Sequence, residues 1–146
     1  MDIYNLPIDK KIILFDGVCN FCNDKVNFII KNDKKDVFRF VAIQSETGKK
    51  IINYLGIDSA LDSIILYEPG YAYFIKSEAV FRIIKHMSSS VKLLLLFNFV
   101  PTSIKNIFYD IIAKNRYNWF GKKEICMIPS EDIVAKFIAY KNPDMF

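Results

Sequence analysis

The apolar run Ile12-Ile13-Leu14-Phe15 is followed at once by Asp16-Gly17 and then by Cys19-Asn20-Phe21-Cys22. Consecutive apolar residues broken by Asp-Gly read as a buried strand running into a turn. From Asn20 to Lys31 the apolar positions Cys22, Val26, Ile29 and Ile30 follow helical spacing. The cysteine pair is therefore expected at a strand-to-helix junction. That restricts the chain to folds with a βα unit at this point.

Downstream patterning extends the unit. Val37 to Ile43 alternates as a second strand. Ser45 is placed to cap a helix running to about Leu55, and Gly56 suits its end. Ser63 to Tyr67 and Tyr71 to Ile75 read as a hairpin around Glu68-Pro69-Gly70. Ser77 is placed to cap a third helix carrying Val80, Phe81, Ile83 and Ile84. Pro101 fits the first turn of a further helix. There Ile104, Ile107, Phe108, Ile111 and Ile112 make the clearest amphipathic pattern in the chain. Ser130 is placed to cap a last helix with Val134, Phe137 and Ile138 on one face. The order β-α-β-α-β-β-α with added C-terminal helices is the α/β layout of a thioredoxin-like domain, its first unit a right-handed βαβ. A chain of 146 residues makes one domain the expectation, with a core over about 11–88 and a helical extension over about 91–146. A domain of that size needs neither a disulfide nor a metal to be stable.

Composition removes several classes. With 52% hydrophobic and 25% charged residues, the chain does not read as disordered. The net charge of +4 comes from scattered lysines, most of them alternating with acidic residues. That is a solvated surface and argues against nucleic-acid binding. Three cysteines do not make a secreted disulfide framework. Met1 to Lys11 has no apolar run before a cleavage site, so no signal peptide is expected. The expected compartment is the cytoplasm, where a close cysteine pair is catalytic or metal-binding rather than structural. Val91 to Val100 is too short to span a bilayer. It is expected as a buried helix, with a surface for a membrane or a partner protein as the alternative.

The chemistry follows from placement. The thiolate, not the thiol, attacks in thiol-disulfide exchange. A helix N-terminus offers unpaired N–H groups and a positive partial charge that favour a thiolate there. On this reading Cys19 is the exposed, activated nucleophile and Cys22, three residues in, is the resolving thiol. Asp16, closing the strand, is the candidate proton acceptor for Cys22; alternatively its carboxylate accepts turn N–H groups from Gly17 and Val18. A single Cys-x-x-Cys is also half a zinc site, for which only His86 and Cys126 remain as ligands. No other cofactor or metal is expected. The competing reading is a thioredoxin-like binding module with a structural metal or a non-catalytic cysteine pair.

The run from Phe15 to Cys22 resembles the signature of the DCC family of thiol-disulfide oxidoreductases, named for an Asp-Cys-Cys pattern. Phe40-Val41-Ala42-Ile43-Gln44-Ser45, Ser77-Glu78-Ala79, Asn115-Arg116-Tyr117, Trp119-Phe120-Gly121, and Cys126 with Pro129 are similar to further parts of the family pattern. The resemblance implies a thioredoxin-like fold and a redox role for Cys19 and Cys22, with Asp16 in the motif. Arg116 and Tyr117 become candidates to line the cleft, Arg116 favouring the thiolate by its charge, and Cys126 a candidate third thiol. The partner is an unidentified thiol or disulfide. One departure stands out: thioredoxins carry a cis-proline before the third strand, whereas Leu61-Asp62 precede it here.

Overall fold

The computed structural model describes residues 6–61, 63–88, 90–121, 131 and 133–138. Four strands, β1 (Lys11–Phe15), β2 (Phe38–Ala42), β3 (Ile65–Glu68) and β4 (Ala72–Ile75), form one sheet in the order β2-β1-β3-β4. β1 runs parallel to β2, pairing Ile13 with Phe40, and antiparallel to β3, pairing Ile13 with Leu66. β4 returns antiparallel to β3. The parallel pair requires a crossover, supplied by α1 (Asn20–Asn32). α2 (Glu46–Leu55), α3 (Lys76–Lys85) and α4 (Thr102–Phe120) complete the helices. This mixed sheet with its helices is consistent with a thioredoxin-like α/β fold.

β1 is buried on both faces because successive side chains point to opposite sides. Ile13 and Phe15 join Val26 and Ile29 of α1 and Ile83 and Ile84 of α3. Ile12 and Leu14 join Ile51 and Ile52 of α2 on the other side. That double burial explains the unbroken apolar run. The expected caps of α2 are present. The Ser45 hydroxyl accepts from Gly48 N at 3.0 Å, and Gly56 ends the helix at a φ of 65°.

The structure corrects the sequence reading at three places. Ser77 does not cap α3: the cap is Ile75, without a side-chain bond, and the Ser77 hydroxyl instead donates to Asn106 on α4. Val91 to Val100 is not a buried helix. Ser90–Phe99 is a 3-10 segment with no buried residue, although Val91 and Leu95 pack against the core. Phe137 and Ile138 do not continue a last helix. After the single 3-10 turn Val134–Lys136, Phe137 bridges Phe40 and Ile138 N donates to Phe40 O at 2.9 Å. The open edge of β2 takes up those backbone groups, which favours the extended form over a helical turn. The amphipathic stripe of α4, whose side the sequence left open, is on solvent. The Ser130 cap lies outside the described residues.

Candidate active site

β1 delivers Asp16 to the end of the sheet, and the turn Asp16–Cys19 closes by Cys19 N donating to Asp16 O at 3.3 Å. Cys19 is the N-cap of α1, and its sulfur accepts from Cys22 N at 3.3 Å. Both cysteines are free thiols. One expectation is reversed here: Cys19 is 0% exposed, whereas Cys22 is half-buried. The physical reason is the cap itself, since a side chain that folds back on the first N–H groups of its helix turns inward. Burial foremost, then the hydrogen bond to Cys19, push the Cys22 thiol up from its ordinary value; the Arg116 charge opposes this and the Asp16 charge adds to it.

The Asp16 carboxylate gathers donors from three other parts of the chain. Its Oδ1 accepts from Gln44 Nε2 at 2.6 Å and from Val18 N at 3.1 Å. Its Oδ2 accepts from Arg116 Nη2 at 3.0 Å and from the Tyr117 hydroxyl. Both charged side chains are buried, with 5% and 10% of their surfaces exposed for Arg116 and Asp16. Such a pair is tolerable only because each charge is hydrogen-bonded. The turn reading of Asp16 is thus half right: Val18 donates to it, but Gly17 N donates to Gln44 Oε1 at 3.0 Å. Burial foremost, then the bond to Asp16, push the Tyr117 hydroxyl up to about 12, the bond to Arg116 opposing.

The two residues between the cysteines dock on the end of α4. Asn20 Nδ2 donates to Phe120 O at 3.0 Å, and Asn20 N donates to Gly121 O at 3.4 Å. The Phe21 and Phe120 rings lie 4.7 Å apart. Gly121 has a φ of 83°, and a Cβ there would stand 3.1 Å from Asn20 Nδ2. A glycine is therefore suited to this junction on both counts.

The structure brings Asp16, Cys19, Cys22, Arg116 and Tyr117 together, while Cys126 lies outside the described residues. Arg116 bonds to Asp16 beside the pair, and its charge favours the Cys22 thiolate. Three participants were missed. Gln44 was noted only as part of the strand exit. Asn23, buried in α1, donates to Gly17 O at 3.0 Å and ties helix to turn; an amide one place past Cys22 on an otherwise apolar face was its signal. Tyr109 of α4 accepts from Ile64 N at 2.8 Å just before β3. That is where thioredoxins place their cis-proline, and no cis peptide occurs among the described residues. The Tyr109 signal was hidden, because the partner is a backbone group distant in sequence. Among the described residues no cluster of three or more metal-ligating side chains is found. No described helix is long and apolar enough to cross a membrane.

Known proteins resemble this chain over most of its length. The chain is 42% identical over 132 residues to the Bacillus subtilis protein YuxK, covering 90% of this chain and 96% of that one. It is 40% identical over 121 residues to a chloroplastic DCC family protein of Arabidopsis thaliana, covering 81% of this chain and 70% of that one. No solved structure matches. Because the pattern of the DCC1-like thiol-disulfide oxidoreductases matches residues 13–122, from β1 through the Cys19–Cys22 turn to the end of α4, the chain belongs to that family.

Proposed function

We propose that Cys19 and Cys22 exchange a dithiol for a disulfide with a partner thiol or disulfide. The observation that carries this reading is the Cys22 N–H directed at the Cys19 sulfur at the start of α1, 3.3 Å away, where a sulfur anion is stabilised. Exposure favours Cys22 as the attacking group, whereas the place at the start of α1 favours Cys19. Ionisation decides, because a thiol held protonated is a poor nucleophile however accessible it is. Cys22, pushed up by burial, is therefore the resolving thiol. Cys19 is buried, so its attack requires that it first be uncovered.

In the reducing direction the Cys19 thiolate attacks one sulfur of a partner disulfide, forming a mixed disulfide and releasing the other partner sulfur as a thiolate. Cys22 then attacks Cys19, giving up its proton to Asp16. The Cys19–Cys22 disulfide forms and the second partner sulfur leaves, so two electrons have passed to the partner. A cytoplasmic setting would hold the pair as the dithiol and favour this direction.

The test is trapping. A Cys22→Ser protein is expected to hold its partner as a mixed disulfide on Cys19, located by mass spectrometry of the linked peptides. Finding the adduct on Cys22 in a Cys19→Ser protein, with none on Cys19 in the other variant, would overturn the assignment; thiol-labile zinc bound by the pair would favour the binding-module reading. For Asp16, the expected result is that Asp16→Asn slows release of a preformed mixed disulfide about 100-fold near neutral pH. Stopped-flow measurement reads this, and the deficit is expected to shrink at higher pH as hydroxide removes the Cys22 proton. A rate equal to that of the unmodified chain at every pH would remove Asp16 from the proton path.

A further inference from the structure

The amphipathic stripe of α4 faces away from the domain. Ile104, Ile107, Phe108, Ile111 and Ile112 are all exposed, Phe108 at 66%. The side of the helix turned inward is the polar one, where Asn106, Tyr109 and Arg116 bond to Ser77, Ile64 and Asp16. With about 3.6 residues per turn, the five apolar residues and Trp119 share the half of the helix opposite Ala113 with two uncharged amides, Asn115 and Asn118. No charged residue falls within that half. Lys114 stands at one margin and Lys105 at the other.

The 3-10 segment before α4 adds to this surface. Leu93, Leu96, Phe97 and Phe99 are exposed, Leu96 at 71% and Phe99 at 82%, with Lys92 among them. Lys105 Nζ ties the two elements together by donating to Asn98 Oδ1 at 3.3 Å. A patch with this many large apolar side chains marks an interaction site rather than ordinary surface.

We propose that this face docks in the interfacial layer of an anionic lipid bilayer. The charges name the occupant. Within residues 90–121 the only acidic residue is Asp110, and it is held by Lys76 at 3.0 Å. The margins therefore present lysines with no acidic counterpart of their own. A symmetric second copy would bring those lysines toward each other, whereas anionic headgroups pair with every one of them. An uncharged, mainly apolar face, lysines along its borders and a tryptophan near its end make the pattern of a helix lying in the plane of a membrane.

The chain has one tryptophan, Trp119, on this face, so its fluorescence reports docking directly. The full chain is mixed with vesicles of equal parts phosphatidylglycerol and phosphatidylcholine, and with vesicles of phosphatidylcholine alone. The expected result is cosedimentation and a blue shift of Trp119 emission with the anionic vesicles, weakened by added salt. Ile107→Ser with Phe108→Ser is expected to reduce affinity at least tenfold through lost apolar burial. Lys92→Glu with Lys114→Glu is expected to reduce it about tenfold or more through lost attraction. Circular dichroism checks that both variants remain folded. Absence of binding to either vesicle overturns the proposal. So does equal binding to both, and so does a stable dimer by light scattering that the Ile107/Phe108 variant abolishes and vesicles leave intact.

Discussion

Arg116→Met is expected to destabilise the fold by about 3 kcal/mol, toward the lower end of the cost of breaking a buried ion pair by removing one partner. The substitution leaves the Asp16 carboxylate buried without its counter-charge. The cost falls at the lower end because Gln44, Val18 N and Tyr117 still donate to that carboxylate. Methionine fills much of the arginine volume, so little of the loss comes from a cavity. For a chain of this size the melting temperature is expected to fall by roughly 10 °C, read by thermal circular dichroism. Asp16→Asn in the same chain removes the orphaned charge, and the double variant is expected to recover most of the loss. A double variant no more stable than Arg116→Met would show that Arg116 contributes by packing rather than by charge. The same substitution removes the charge that opposes the rise at Cys22, so resolution of a mixed disulfide is expected to slow as well.

Gly48→Ala is expected to cost about 3 kcal/mol, at the upper end for overpacking, against the ordinary rule for helices. An alanine inside a helix is normally favoured over glycine by about 1 kcal/mol. Here, however, a Cβ at Gly48 would stand 2.2 Å from Ala42 O and 3.0 Å from Ile43 O. Both are backbone atoms at the end of β2, and Ile43 N is itself bonded to Phe15 O at 2.8 Å. The contact cannot be relieved by turning a side chain, so α2 must move away from the strand. Gln44 lies between them, and its bonds to Asp16 Oδ1 and Gly17 N are expected to loosen with the shift. Chemical denaturation checks the stability, and the Cys22 exchange rate checks the effect on the site. An alanine protein as stable as the unmodified chain would mean that this approach of helix to strand is looser than described.

Much of the fold was legible because its signals are local. Ile12 to Phe15, buried on both faces, can only be read as an apolar run. Ser45 and Gly56 announce the ends of α2 by their own chemistry, a hydroxyl that replaces a missing helix partner and a residue free to take positive φ. Glu68-Pro69-Gly70 does the same for the hairpin. The failures share the opposite property. Ser77 carries the right chemistry for a cap, but Asn106, far along the chain, competes for its hydroxyl. Phe137 carries an apolar helical pattern, but the free edge of β2 offers its backbone a better arrangement.

The site divides in the same way. Asp16, Cys19 and Cys22 follow from a strand, a turn and a helix start that are adjacent in sequence. Arg116 and Tyr117 were found through resemblance to a family pattern, because no local rule connects them to a carboxylate 100 residues earlier.

By itself, then, the sequence determined that strand and helix meet at the cysteine pair, that Cys19 stands at the helix start, and that α4 has one apolar and one polar face. Only the tertiary structure decided that Cys19 is covered while Cys22 is partly open, and that the polar face of α4 is the one turned inward. Periodicity states which residues share a face; it does not state which side that face takes. Here the side was settled by specific bonds. Asp16, Ser77 and the Ile64 N–H each need a partner where water is scarce, and Arg116, Asn106 and Tyr109 supply them. Turning α4 over would bury its isoleucines but leave a carboxylate without its counter-charge beside the cysteines.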